Sequence, residues 1–290
     1  MKLSYNEATA KDCSTLEKDL ILCDKLGFDY IEIRLDMLKE YLKNNTVGDL
    51  KHFFLEHRLK PHAFNALYTY LDLFSENDSK HKRDELMEDF YLGLKVGKEI
   101  GSNYFVIVPP LQRDPKGGPF IGDKEDIFNK CVFILTRLSD IAYEYDMNLC
   151  FELVGFDRSS VRSISDVKDI VYEVNRSNVG FVFDSYNIHL NGKLNDFSEL
   201  KTIDVKKIFA IHINNADDVP LNEMGQDKRR FCDSGIVNLE SYLNNLKEIG
   251  YDGMVSIEVF RNEYYQKDPE FVITEAYRTT RECLEKNGCI

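Results

Sequence analysis

Residues 248–259 read EIGYDGMVSIEV, and this stretch carries the pattern that decides the fold. A helix-period segment ends in glycine, and a short run of β-branched and apolar residues follows within a few positions. The pattern recurs as KLGFDYIEIR (25–34) and as EIGSNYFVIV (99–108). Glycine suits the left-handed cap that ends a helix, and the run beyond it is typical of a buried strand. We therefore expect helices to alternate with buried strands.

Extending this reading along the chain gives eight units of one strand and one helix. We predict strands near 3–6, 30–34, 61–66, 104–108, 148–153, 179–183, 207–212 and 254–259. We predict helices near 12–26, 47–58, 83–100, 125–145, 165–176, 196–204, 238–249 and 269–286. Alternation of strands with helices indicates a parallel sheet. Eight such units favour an α/β fold of the closed (β/α)8 TIM-barrel type.

A doubly wound open sheet is the alternative fold. It would favour a glycine-rich turn after the first strand, whereas YNEATAKDCS (5–14) contains no glycine. No interior linker rich in Pro, Gly or Ser divides the chain, so we predict a single barrel domain over residues 1–290. Two long loops, at 109–126 and 214–238, follow predicted strands. In a barrel such loops line the face where active sites are built, although a solvated excursion is the alternative.

The composition restricts the partners that the protein can have. The 290 residues carry a formal net charge of −13, which repels nucleic acid and anionic lipid surfaces. No apolar run approaches the length of a membrane span, and the first residues lack the features of a signal peptide. The seven cysteines include no CxxC pair and are typical of reduced thiols. We therefore expect a cytoplasmic protein with a small-molecule ligand and no nucleic-acid or membrane partner.

Four of the predicted strands end in a residue that is costly to bury. On the fifth to eighth strands these residues are Glu152, Asp184, His212 and Glu258. Each one alone is explained by an ion pair, a loop anchor or a satisfied core histidine. Strand ends converge at one face of a barrel, however, and clustered carboxylates need a positive charge between them. Three oxygen ligands and one histidine suit Mn²⁺, Mg²⁺, Co²⁺ or Zn²⁺, so the pattern favours a metal site.

Several longer segments resemble a known family. They are KLSYNEAT (2–9), DYIEIR (29–34), FNAL (64–67), FELVG (151–155), NRSNVGFVFDSYNIH (175–189) and LKEIGYDGMVSIEVFRNEYY (246–265). Over essentially the whole chain, the sequence resembles the xylose-isomerase-like barrel superfamily of sugar isomerases and epimerases, and within it the inosose isomerases. The resemblance implies that the four strand-end residues are the metal ligands and that the substrate is a sugar or inositol ketone.

The resemblance also implies a reaction. Glu152 and Glu258 would be the general acid/base pair as well as metal ligands. With the ketone oxygen and the neighbouring hydroxyl held by the metal, a cis-enediolate becomes less costly to form. One carboxylate would remove the proton α to the carbonyl, and one would return a proton to the adjacent carbon. The ketone then moves by one ring position without a redox cofactor.

Five further residues are candidate substrate contacts, and four of them have a structural alternative. The candidates are Glu32, Asn65, Asn187, His189 and Arg229. Glu32 would support the site or form an internal ion pair with Arg34, and Asn65 would bind a substrate hydroxyl or initiate a turn. His189 and Arg229 match family residues close to the metal and the substrate. Their alternatives are a loop histidine and a solvated basic patch.

The chain departs from the family pattern around this site. Asn187 stands where the family has a histidine, and Asn214 and Asn215 stand where it has aspartates. Residues 231–233 replace a Trp-Pro-Gly turn. These changes leave the four ligands in place but bear on the substrate and the activity.

These departures motivate alternatives to the leading hypothesis of an inosose isomerase. A ketose 3-epimerase or an inosose dehydratase would use the same enediolate chemistry on a related sugar. A non-catalytic polyol-binding barrel is a further alternative. An apurinic endonuclease of the same superfamily is disfavoured, because it would need additional histidine ligands and a basic groove. A homodimer is the default expectation for the oligomeric state.

Overall fold

A closed parallel barrel forms the centre of the protein. The computed structural model describes residues 1–114 and 117–290; Pro115 and Lys116, within the predicted loop 109–126, lie outside the described residues. The barrel strands are Lys2–Asn6, Tyr30–Arg34, Lys60–Tyr68, Tyr104–Val108, Asn148–Glu152, Val179–Asp184, Ile208–Ile213 and Met254–Ile257. Each strand pairs with its neighbour in sequence, and the eighth pairs with the first. The predicted TIM barrel is therefore confirmed and the open sheet is wrong.

Helices surround the barrel. They are Leu16–Leu26, Leu35–Tyr41, Val47–Glu56, Lys80–Ile100, Lys124–Tyr143, Ile164–Val174, Ser185–Ile188, Leu239–Glu248, Asn262–Tyr265 and Pro269–Lys286. Gly27 and Gly101 end two of them with φ of +105° and +81°, the left-handed conformation that the sequence pattern predicts. Among the described residues, none of these helices has both the length and the apolar character that a membrane crossing demands.

The helix predicted over 196–204 is wrong. The structure has a short 3₁₀ helix at Ser198–Thr202 instead. Phe197, Leu200 and Ile203 are all buried, and their spacing of three residues matches the three-residue turn of a 3₁₀ helix. At this point a core contact at every third residue therefore replaces the α-helical period.

The long loop after the seventh strand contains a small antiparallel ribbon. Asn215–Ala216 pairs with Arg229–Arg230. Three-residue 3₁₀ turns at Leu221–Glu223 and Gln226–Lys228 lie between the two short strands. The ribbon folds the loop back over the carboxyl ends of the barrel strands, which places Arg229 in the interior instead of in solvent.

Two carboxyl groups are buried beside the first strand, apart from the strand-end cluster. Glu7 accepts the backbone N–H of Arg34 at 2.7 Å, and Asp19 accepts the hydroxyl of Ser14. Burial raises the pKa of Asp19 to about 8. Burial, and then the charge of Asp19, also raises the pKa of Glu7 well above its ordinary value. Both groups therefore hold a proton more tightly in the folded protein than in the unfolded chain.

This burial predicts a pH dependence of stability. Unfolding releases the Asp19 proton once the pH exceeds its ordinary pKa of about 3.9, so the free energy of unfolding should fall as pH rises from about 4 to about 8. Asp19→Asn should reduce this fall, whereas Asp140→Asn, at an exposed position, should leave it unchanged. Urea denaturation at pH 5 and pH 8 measures the difference. Equal pH slopes for wild type and Asp19→Asn would contradict the assignment.

Candidate active site

The four predicted strand-end residues all lie at the same end of the barrel. Glu152 and Asp184 are the last residues of the fifth and sixth strands, His212 lies near the end of the seventh, and Glu258 directly follows the eighth. All four side chains are buried. The apolar residues before them on each strand are buried in the core, and this packing fixes where each polar side chain lies along the barrel axis. The barrel thus brings together polar groups from four strands.

Three of the four form a group with the geometry of a metal site. One ligand atom from each of Glu152, His212 and Glu258 lies within 4.8 Å of the other two. His212 Nδ1 is 3.3 Å from Glu258 Oε2. Asp184 does not belong to this group. The structure therefore brings together two carboxylates and one imidazole of the four predicted ligands.

The hydrogen bonds of His212 leave one of its nitrogens available. Its Nε2 lies 3.0 Å from Glu32 Oε2, and both side chains are fully buried. Its Nδ1 faces Glu258 Oε2 at 3.3 Å but makes no hydrogen bond of good geometry among the described residues. A carboxylate that accepts the far N–H of a histidine is a common support for a metal-binding imidazole, because it fixes both tautomer and ring orientation. The residues present therefore fit a divalent metal ion.

The same surroundings favour positive charge at His212. Burial lowers the pKa of the imidazole, but Glu32 and Glu258 outweigh it and raise the pKa well above its ordinary value. Two carboxylates that hold a proton on this ring would equally attract a divalent cation. Glu32 thus acts on His212, and the alternative ion pair with Arg34 is not formed, since Arg34 pairs with Asp36 at 2.7 Å.

The two glutamates of the group have opposite pKa shifts. Burial, and then the charge of Glu258, raises the pKa of Glu152 to about 8. Burial acts in the same direction at Glu258, but His212 and Arg229 outweigh it and lower the pKa of Glu258 to about 2. One carboxyl that holds a proton beside one that does not is the pattern of an acid/base pair.

Asp184 is held by other partners. Its Oδ2 accepts Arg229 Nη1 at 2.8 Å and Asn214 Nδ2 at 2.7 Å. Its Oδ1 accepts the backbone N–H of Asn187 at 2.8 Å, which caps the short helix Ser185–Ile188. Arg229 therefore neutralises Asp184 in this arrangement, while Asn214 supports it from the seventh loop.

Arg229 is buried, so the alternative of a solvated basic patch is wrong. Its side chain is 1% exposed, and the guanidinium lies 5.2 Å from the ring centre of Tyr186 and 5.3 Å from that of Phe260. Its Nη1 is also 3.3 Å from Glu258 Oε2. Arg229 thus links Asp184 to Glu258, and its role as a substrate contact stays a prediction.

Two residues predicted to contact the substrate hydrogen-bond the glutamates, and their contact with substrate stays a prediction. The side-chain amide of Asn187 donates an N–H to Glu152 Oε1 at 3.0 Å, and its oxygen Oδ1 accepts the backbone N–H of Gly155 at 3.3 Å. Asn65 donates to Glu258 Oε1 at 3.0 Å. Each asparagine therefore orients one of the two glutamates.

His189 lies in a π-helical segment, His189–Lys193, that directly follows the short helix after the sixth strand. Its Nδ1 is 3.0 Å from Asn195 Oδ1, and its Nε2 has no partner among the described residues. Burial lowers its pKa. A buried imidazole whose Nε2 has no partner among the described residues is compatible with a substrate contact, which stays a prediction.

Sequence reasoning missed Asn6. This residue ends the first strand, and its side-chain N–H groups donate to Glu32 Oε2 at 2.8 Å and to Glu258 Oε1 at 3.0 Å. The signal was present, because Asn6 is a polar strand-end residue in the same position as Glu152. It was overlooked because it carries no charge.

Comparisons with known proteins agree with this architecture. A family model described as xylose isomerase-like TIM barrel matches residues 20–283. The inosose isomerase of Bacillus velezensis is 40% identical over 99% of this chain and 98% of its own length, and that of Bacillus subtilis is 38% identical over 99% of both. A crystal structure of the IOLI protein with a zinc atom has a TM-score of 0.89 and 38% identity, and covers 99% of both chains. The chain belongs to the xylose isomerase-like TIM barrel family.

Proposed function

We propose that this protein is an inosose isomerase, a metal-dependent enzyme that moves the ketone of a cyclic polyol to the neighbouring ring carbon. The observation that carries the proposal is the group of Glu152, His212 and Glu258, three buried residues with ligand atoms within 4.8 Å of one another. The full-length similarity to curated inosose isomerases supports the choice of substrate.

The metal would be held by Glu152, His212 and Glu258. Asp184 is the fourth proposed ligand, and it would exchange Arg229 for the metal. When bound, a divalent cation supplies electrophilic stabilisation of negative charge on the ketone and hydroxyl oxygens of the substrate. The zinc atom in the similar IOLI crystal structure supports a divalent cation. Mn²⁺, Mg²⁺ and Co²⁺ suit the same set of ligands.

The glutamates move the protons in this proposal. One carboxylate takes the hydrogen of the hydroxyl-bearing carbon as a proton, and the electron pair left behind forms the double bond of a cis-enediolate. The other carboxyl delivers a proton to the former carbonyl carbon, and the hydroxyl proton passes between the two oxygens. The product has the same composition as the substrate, so no redox cofactor is consumed. Asn187 and Asn65 would hold the two carboxyls in place.

A second candidate function rests on Asn187. The sequence resemblance to the family implies a histidine at this position, whereas here an amide hydrogen-bonds Glu152. An amide cannot take up a proton, and this change favours a related substrate or a different outcome of the same enediolate. The candidates are a ketose 3-epimerase and an inosose dehydratase; loss of catalysis would leave a polyol-binding barrel. A cytoplasmic location and a homodimer complete the proposal as predictions.

Proton NMR in D₂O distinguishes these functions. Protein loaded with Mn²⁺ and incubated with 2-keto-myo-inositol should convert it to the shifted ketone, with deuterium at the carbon that accepts the proton. Glu258→Gln should show neither conversion nor exchange. Deuterium uptake without the shifted ketone would favour the epimerase or dehydratase. Absence of both in the wild type would exclude the isomerase.

A further inference from the structure

Asn6 bridges Glu32 on the second strand and Glu258 after the eighth strand, two strands that do not pair with each other. One N–H of its amide donates to Glu32 Oε2 at 2.8 Å, and the other donates to Glu258 Oε1 at 3.0 Å. Its carbonyl oxygen accepts the backbone N–H of Ala8 at 2.9 Å. Every hydrogen-bonding group of the amide except one carbonyl lone pair is thus used, and the side chain is fully buried. Its orientation is therefore fixed.

The bond to Glu258 determines which oxygen of this carboxylate is available. Asn65 donates to the same Oε1 at 3.0 Å, so two amide N–H groups occupy that oxygen. The other oxygen, Oε2, lies 3.3 Å from His212 Nδ1 and 3.3 Å from Arg229 Nη1. The two asparagines thus turn Oε2 toward His212 and Arg229.

The bond to Glu32 acts on the histidine. Glu32 Oε2 also lies 3.0 Å from His212 Nε2, so the carboxylate that orients the imidazole is itself held by Asn6. Removal of the amide would leave His212 as the remaining side-chain partner of Glu32 among the described residues, so the ring orientation of the imidazole would be less firmly fixed. Glu32 Oε2 and Glu258 Oε1, both buried, would each lose one hydrogen-bond donor.

We propose that Asn6 is a positioning residue for the metal centre, which aligns Glu258 directly and His212 through Glu32, so that Oε2 of the glutamate and Nδ1 of the histidine are directed at the same cation. The inference rests on the proposed function, because it concerns the same metal. An amide is suited to this task, since it donates two hydrogen bonds without adding charge to a cluster that already holds several carboxylates.

Zinc binding by the metal-stripped protein tests the inference independently of turnover. Calorimetric titration with Zn²⁺ should give a roughly 10- to 100-fold weaker affinity for Asn6→Ala than for wild type. Asn6→Ser keeps one donor and should fall between the two, and it also serves as the test if the alanine variant does not fold. Circular dichroism and thermal melting verify that each variant is folded.

Asn178→Ala is the matched control. Asn178 is also a buried asparagine whose amide donates twice, to the backbone carbonyls of Ser139 and Met147, at the opposite end of the barrel. This variant should lose stability but keep wild-type zinc affinity. Equal affinity in the Asn6 and Asn178 variants would overturn the positioning role. Absence of zinc binding by the wild type would instead refute the proposed metal-dependent function.

At saturating Zn²⁺ the Asn6 variants should also separate kcat from KM. Misalignment of Glu258 impairs proton transfer more than it impairs ground-state binding, so kcat should fall while KM changes little. A purely structural defect would lower the apparent kcat only in proportion to the loss of folded protein, so kcat is expressed per zinc-binding site. A rise in KM with unchanged kcat would contradict the inference.

Discussion

Glu152→Gln is expected to lower the turnover of 2-keto-myo-inositol by roughly 10²–10⁴-fold, the usual contribution of a general acid or base. Glutamine has nearly the same shape but can neither hold nor release the proton. Asn187, which hydrogen-bonds Glu152 Oε1, can retain its bond to the amide oxygen, so the local structure should persist. Initial rates of ketone transfer, with deuterium exchange followed by NMR, measure the effect.

Glu173→Gln provides the control for this variant. Glu173 is exposed on the helix Ile164–Val174, so the same chemical change there should leave turnover within the error of the assay. Both proteins are compared at saturating metal to separate proton transfer from weakened metal binding. A Glu152→Gln enzyme with nearly wild-type exchange would remove Glu152 from the acid/base pair.

His212→Ala has the largest expected effect on stability. Its removal takes the positive charge from between Glu32 and Glu258, which are both buried. Loss of one partner from a buried ion pair typically costs about 3–5 kcal/mol, because the remaining charge is left uncompensated. Urea denaturation of the metal-free proteins near neutral pH gives the free energy of unfolding directly. The same variant should lose most of its zinc affinity.

His52→Ala is the comparison for the histidine variant. His52 is exposed on the helix Val47–Glu56, so its loss should change neither stability nor zinc binding appreciably. If His212→Ala bound zinc as tightly as wild type, the imidazole would not be a ligand. A loss of stability without a loss of zinc affinity would then indicate that His212 serves only as a partner in an internal ion pair.

The barrel and the strand-end cluster were predictable from sequence for a local reason. Each of Glu152, Asp184 and His212 lies at or near the end of an apolar run, and the run alone identifies both the strand and its buried polar end. The partners of these residues were not predictable in this way. Arg229 reaches Asp184 only because the seventh loop folds into a ribbon, and nothing in the sequence of that loop indicates its direction. The sequence therefore predicts where these residues lie on their strands but not which side chains they pair with.

Short-range patterns also failed where the tertiary structure decides the conformation. The helix Leu35–Tyr41 begins immediately after the second strand, without a linker that could mark its start. The sequence alone leaves Glu32 two partners, the site or Arg34, and only its contact with His212 of the seventh strand decides between them. These outcomes depend on contacts between residues far apart in sequence.

The closure of the barrel has a consequence for the newly made chain. Asn6 and Glu258 are separated by 252 positions, and the first strand gains its second neighbour only when residues 254–257 pair with residues 2–5. At the usual speed of synthesis this interval is on the order of tens of seconds. During that time the nascent first strand has one unpaired edge, which is a template for aggregation. A ribosome-bound chain that stops before the eighth strand would also lack Glu258, and with it one of the three side chains proposed to hold the metal.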